Sequence, residues 1–321
     1  MPAPSMTTGD AGGTLGGDTV KTVFNRAALD AFRANFVYRR IADVKWDGGP
    51  GAQPMPGNAV TFTILTAMAV ATSALSETVE PTPVNISDTQ KTLTLVEYGN
   101  ATKQTKKLRL TSFLGLDTTI PREVGSNMEE SMDIIARDVL VAGTNVLYAG
   151  AATSRATVAA GHTLVAGNIR RARAYLAGRN TPFPAGSSMY VSFIHPDVSY
   201  DLQQESGQQA WSAPHVYQDT SAIYTGELGA LGGVRIVENA NAKNFVDAGV
   251  TSTVDVYVTL FVGLQALGEA VGESQHMVIS GPFDDLQRFV SVGWYALEGF
   301  GRIRENSLVR YESSSSIGVN V

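Results

Sequence analysis

The sequence predicts an α+β protein, on three observations. Val60, Phe62 and Ile64 alternate with Thr61, Thr63 and Leu65, the two-residue period of a strand. Val124, Met128, Met132, Ile135, Val139 and Val146 recur at three- and four-residue steps or multiples of them, the apolar stripe of a long helix. The C-terminal half then returns to strand-like runs at 234–238, 254–262, 277–280, 287–297 and 302–312.

Taken in order, residues 1–19 are Gly-rich with no Lys or Arg and read as an arm. Val23, Ala27 and Phe32, extended by Phe36 and Val37, have the spacing of a short amphipathic helix. A Gly/Pro segment at 48–57 sustains neither regular structure. The strand at 60–65 is expected to return through Leu75, Glu77 and Val79 to Pro81 and Pro83, making a long projecting hairpin. Two strands alone are marginal in water, so the hairpin must pack on its own core or on a neighbour. Runs at 92–98 and 102–111 predict two strands joined by a tight turn at Gly99-Asn100. Pro121 suits a first helical position, and the helix is expected over 120–148, with Asp133 and Arg137 spaced to pair.

Beyond a small-residue linker at 149–161, Val165, Ile169, Ala172 and Leu176 predict a helix closed by Gly178. A strand at 188–194 leads through His195-Pro196 into a short helix carrying Val198 and Leu202. Residues 203–221 are polar and irregular, and 264–270 read as a helical turn. The run Gly226-Glu227-Leu228-Gly229-Ala230-Leu231-Gly232-Gly233 precedes a strand, whereas a dinucleotide loop must follow one. Gly226, Gly229 and Gly233 are therefore read as backbone turns.

Composition narrows the function. Apolar residues make up 44% of the 321, enough for a sizeable core. Charged residues reach only 17%, below the roughly 25% of soluble domains, which fits either surface hidden against other subunits or a large β-rich monomer. A net charge of −6 argues against a tight grip on nucleic acid. The basic clusters Arg170, Arg171, Arg173 and Lys103, Lys106, Lys107, Arg109 read as solvated or interface faces. With no cysteine there is neither disulfide nor thiol nucleophile, and His162, His195, His215 and His276 lack paired ligand spacing. No nucleophile elbow or phosphate loop is present, and Glu129 and Glu130 point about 100° apart on a helix. The expectation is a protein that is not an enzyme and carries no catalytic residues, cofactor or metal. No signal segment or membrane span is read, so cytoplasmic assembly is expected.

The order of motifs resembles a known family. Gly57-Asn58-Ala59-Val60-Thr61-Phe62, Leu75-Ser76-Glu77, Pro81, Val96-Glu97-Tyr98-Gly99, and the helix from Pro121 toward Gly143-Thr144 and Tyr148-Ala149-Gly150 come first. Tyr190-Val191, Ile194-His195-Pro196, Gly226-Glu227-Leu228-Gly229, Gly233-Val234-Arg235-Ile236-Val237-Glu238 and Gly293-Trp294 follow. Together they resemble the HK97-like major capsid proteins of tailed double-stranded DNA bacteriophages, within them the branch of the phage N-four coat protein.

The resemblance implies an N-terminal arm (1–45), an extended loop (46–88) and a peripheral domain (89–155) with spine helix 120–148. An axial domain (156–272) and C-terminal strands that rejoin the peripheral sheet (273–321) would follow. It implies self-assembly into hexamers and pentamers of an icosahedral head, with scaffolding protein and portal as partners and a decoration protein as a further one. DNA would be packaged without sequence-specific binding. Val60, Phe62, Ile64, Leu75, Glu77 and Val79 would form the loop's contact with a neighbour, and Val124, Met128, Met132, Ile135 and Val139 the packing face of the spine. Two alternatives stand beside it: an encapsulin-like compartment shell of the same fold, and a monomeric α+β enzyme or binding protein.

Overall fold

The computed structural model describes residues 37–46, 57–66, 68–72, 74, 77–78, 80, 83–112, 116–205 and 227–317. The helix expected around Val23 to Phe36 and most of the irregular 203–221 stretch lie outside the described residues. The chain runs β1 (Asp43–Trp46), β2 (Ala59–Leu65), β3 (Asp88–Thr94), β4 (Val96–Thr105), α1 (Lys106–Thr111), α2 (Leu116–Val141) and β5 (Val146–Tyr148). It continues through α3 (Ala166–Gly178), β6 (Tyr190–Ile194), α4 (Pro196–Gln204), β7 (Glu227–Leu231), β8 (Val234–Glu238) and β9 (Asn244–Phe245). It closes with β10 (Val256–Val262), β11 (Leu267–Phe283), β12 (Phe289–Arg302) and β13 (Leu308–Ser313).

Among the described residues the strands form three sheets. One is four-stranded in the order β1-β11-β12-β4, one is ordered β5-β13-β10-β6-β8-β7 with β9 also on β10, and β2-β3 pair alone. In the second, β10 is buried along its whole length. Its Tyr257 and Phe261 face one core with Ile169 and Leu176 of α3 and Val198 and Leu202 of α4. Val258, Leu260 and Val262 face the other core, with Ala136, Leu140 and Val141 of α2. A strand covered on both faces has to be apolar throughout, as this one is. One face of the four-stranded sheet is covered by α2, where Trp294 and Ala296 meet Met128 and Met132.

Several expectations are corrected. α2 begins at Leu116, which puts Pro121 in its second turn rather than at its first position. It stops at Val141, because Gly143 approaches Leu308 and the chain turns into β5; Val146 therefore belongs to a strand. Gly99-Asn100 is not a turn. β4 runs straight through it, and a Cβ at Gly99 would lie 2.8 Å from the Trp294 carbonyl oxygen, so glycine serves close strand approach. Residues 106–111 are helical because the Thr105 side chain caps them, accepting from the Leu108 N–H at 3.1 Å. The turn at 264–266 gives way to β11 at Leu267. α3 ends on Gly178, and the left-handed residue beyond it is Asn180 (φ 53°). The C-terminal segment divides: β12 completes the four-stranded sheet, but β13 pairs with β10 and β5 in the other.

Past β13, the serine run is held fast. Ser314 Oγ donates to the Ala160 carbonyl (2.9 Å), Ser315 Oγ to the Asp197 carbonyl (3.0 Å), and Ser316 N–H to Asp201 (2.8 Å). Replacing the fully buried Met132 by Ala should destabilise the unassembled subunit by about 3 kcal/mol in urea unfolding, and by Leu less than about 1.5. A Met132→Ala loss under about 1 kcal/mol would mean that α2 does not organise the core.

Candidate assembly interface

The hairpin has a root and a distal part with opposite characters. β2 and β3 pair antiparallel in unbroken register, from Ala59↔Thr94 to Leu65↔Asp88. The return strand is thus 88–94 and not 75–79, since β3 has a single buried residue, Leu93, and shows no alternation to read. At the root, Phe62 and Leu93 are buried against Ala270 and Ile303, with Val60 and Ile64 half-buried beside them. This part of the predicted contact surface finds its burial at home. Glu77 is exposed in a turn, while Leu75 and Val79 lie outside the described residues.

The root sits on glycines. A Cβ at Gly301 would lie 2.1 Å from Leu93, one at Gly268 2.5 Å from Ile303, and one at Gly299 2.4 Å from the Thr94 carbonyl oxygen. The Leu93 side chain therefore packs on the bare backbone of Gly301, and the β3 backbone itself touches β12 at Gly299. Lys45 of β1 secures the other strand, donating to the Thr61 carbonyl at 2.9 Å with its ammonium 4.9 Å from the centre of the Phe62 ring. Farther out, the described apolar side chains are exposed. Leu65 is 68% exposed and Val70 86%, with Met68, Val84 and Ile86 also exposed.

Residues 37–43 form a strap across the joint between the two larger sheets. Tyr38 is buried with its ring 4.6 Å from that of Phe193. Asp133 accepts the Tyr38 and Val37 N–H groups at 2.8 and 3.2 Å instead of pairing with Arg137, whose guanidinium goes to Asp138 and the Asn241 carbonyl. Burial raises the Asp133 pKa, opposed by those backbone donors. Next along the strap, Arg39 binds the fully buried Glu269 and reaches Glu298 at 3.1 Å. Gln275 donates to Glu298 as well. One guanidinium serves two buried carboxylates, and desolvation with the neighbouring Glu269 charge pushes Glu298 up to about 7 against the pull of Arg39.

The remaining predicted residues are spread through the fold. Met128 and Met132 are buried, and Val124 and Ile135 line the same core while Val139 borders the next. Gly233 (φ 82°) makes the β7–β8 turn with Gly232, Gly229 (φ 150°) sits at a register shift in β7, and Gly226 lies outside the described residues. Among the described residues no group of three or more His, Asp or Glu could hold a metal ion. A cavity of about 650 Å³ opens between the strap, α2 and the larger sheet. Two of its carboxylates serve the fold: Asp133 holds the strap, and Glu238 accepts from Ser199 at 2.6 Å. No helix among the described residues is long and apolar enough to cross a membrane.

A family profile described as phage capsid protein matches residues 50–312. The chain belongs to the phage capsid protein family. It is a major capsid protein, a subunit of the phage head shell, and its α+β architecture is HK97-like. The capsid of Ralstonia phage GP4 is similar at TM-score 0.72 and 17% identity, over 89% of this chain and 90% of that one. The capsid of cyanophage P-SCSP1u is similar at TM-score 0.62 and 13% identity, over 96% and 93%. The capsid of cyanophage Pam1 is similar at TM-score 0.60 and 15% identity, over 81% and 86%. No curated protein matches the chain significantly.

Two outcomes test this geometry. Gly299→Ala should unseat the hairpin root and raise amide exchange over 88–94, whereas Gly281→Ala, with open space around it, should not; equal protection in both would refute the glycine seat. For Glu298, a folded pKa above the ordinary 4.5 means stability that is complete below pH 4.5 and lost as pH rises to about 7. Glu298→Gln should therefore gain in melting temperature relative to the parent between pH 5 and 7.5, and a pH-independent difference would contradict it.

Proposed function

We propose that this capsid subunit forms hexameric and pentameric rings that close into an icosahedral head around double-stranded DNA, with the distal hairpin lying on a neighbouring subunit. The observation that carries the reading is the contrast along the hairpin. Its root is buried on glycines, while Leu65, Met68, Val70, Val84 and Ile86 stand exposed beyond it. Exposed apolar surface on an arm that its own domain does not cover is the mark of an interaction site. Each such contact can be weak, because a subunit that engages several neighbours binds with their combined avidity.

In this proposal α2 is the spine. The four-stranded sheet with the N-terminal half of α2 is the peripheral domain, and the sheet around β10 is the axial domain. That domain gains β5 and β13 from segments read in sequence as peripheral. The net charge of −6 fits a container that encloses DNA without gripping it. Scaffolding, portal and decoration proteins, assembly in the host cytoplasm and membership of the N-four-type branch belong to the same proposal, as does the absence of enzymatic activity. The family match favours a phage head over an encapsulin-like compartment.

Deleting residues 66–73 should leave a folded subunit with unchanged circular dichroism that no longer forms particles in size exclusion and negative-stain microscopy. Normal shells from that deletion would sink the hairpin's role.

A further inference from the structure

The strap at residues 37–43 closes over a charge imbalance that its own Arg39 only half corrects. Glu269 of β11 and Glu298 of β12 are both fully buried. Glu269 stands opposite Phe300 and Glu298 opposite Val271, so the two carboxylates project diagonally from the sheet face that α2 covers. Arg39 donates to both oxygens of Glu269 and reaches Glu298 Oε1 at 3.1 Å. Gln275 donates to the same Oε1, while Glu298 Oε2 is buried with no hydrogen-bond partner among the described residues.

Two carboxylates and one guanidinium leave one negative charge out of water, which is strongly disfavoured. The groups packed around the pair supply no second cation. Tyr98 of β4 faces Glu298 as a neutral phenol, pushed up by burial and by that carboxylate. α2 presents Met128, Met132 and Ile135 to this face, and its Asp133 is a further carboxylate, committed to the Val37 and Tyr38 N–H groups. On β1, Asp43 accepts from Gln265 at 3.3 Å, and Lys45 is turned to the Thr61 carbonyl. A proton on the pair is what restores neutrality, in keeping with Glu298 being raised to about 7.

The strap is the element placed to respond. It runs into β1, a four-residue strand at the edge of its sheet, paired with β11. Its own anchors are the Tyr38 ring on Phe193, the two N–H groups on Asp133, and Arg39. Arg39 is 18% exposed above carboxylates at 0%, so lifting it admits water to both.

We propose that the strap is a proton-dependent latch. Closed, it holds Arg39, Glu269, Glu298 and one proton as a neutral set; when that proton leaves, the strap and β1 detach and both carboxylates ionise in water. A carboxyl raised from 4.5 to about 7 on closure means that closing takes up a proton. The latch is therefore complete below pH 4.5, weakens as pH rises to about 7, and is level above that. Because β1 carries Lys45, opening also removes one support from the hairpin root. Residues 1–36 join the body through the strap, so the same proton sets how firmly that leader is anchored. None of this requires a neighbouring copy, so it stands apart from the shell reading.

Amide exchange on the unassembled full-length subunit, corrected for the intrinsic effect of pH, tests the latch. Protection of the Tyr38 and Ala42 amides and of β1 should fall on the order of 50-fold from pH 5 to 8, while β10 stays constant. Glu298→Gln keeps the shape without the charge and should remove most of that fall. Burial raises Asp133 as well, but its slope is common to both chains, so the difference between them belongs to Glu298. Should Glu298→Gln fail to fold, Glu269→Gln removes the same excess charge and should flatten the profile in its place. Strap protection that is level with pH in the parent, that falls equally in the glutamine variant, or that falls only together with β10 would overturn the latch.

Discussion

One buried stripe on α2 sets the geometry of everything else. Its N-terminal half supplies Met128 and Met132 to the core under the four-stranded sheet, and its C-terminal half supplies Ala136, Leu140 and Val141 to the core under β10. Burying a large aliphatic side chain contributes about 2 kcal/mol, so each half is anchored independently. A helix of 26 residues is about 39 Å long and resists bending. The two sheets therefore hold their mutual orientation through a rod, with the strap at Tyr38 wedged into the joint. Such a subunit transmits strain between its ends instead of absorbing it in a linker.

The hairpin follows the opposite logic. Its root rests on bare backbone, because Gly268, Gly299 and Gly301 leave room for the Leu93 and Ile303 side chains and for the Thr94 carbonyl. Among the described residues of its distal part, Leu65, Met68, Val70, Val84 and Ile86 are exposed. Firm attachment and an uncovered tip are separate tasks, and the chain assigns them to separate residues only a few positions apart. The buried Glu269–Glu298 pair with its single arginine lies at the same end of the sheet, so the strap and the hairpin root share a neighbourhood.

What could be read in sequence depended on whether an element's own burial leaves a pattern, a stripe in α2 or an unbroken apolar run in β10. The stripe of α2 and the strands at Val234–Glu238 and Val256–Val262 were legible because burial dictates their pattern. β3 was not, since DTQKTLT is exposed on both faces except at Leu93. Gly99-Asn100 resembles a turn locally, and only the carbonyl of Trp294, nearly two hundred residues away, makes it a strand. Leu108 and Leu110 alternate like a strand but are exposed on a capped helical turn. Asp133 has the spacing of a surface ion-pair partner. Its true partners are backbone N–H groups about 95 residues earlier, which no local pattern announces. The same holds for Arg39 and its two carboxylates.

The serine run after β13 has a practical meaning for anyone altering the subunit. Four consecutive serines have the composition of a spacer, the natural place to graft a reporter or cargo. Here three of them are clasped to Ala160, Asp197 and Asp201, so an insertion within the run would tear open the loop before α3 and the start of α4 at once. A graft that respects the molecule has to leave residues 314–316 and these tethers intact.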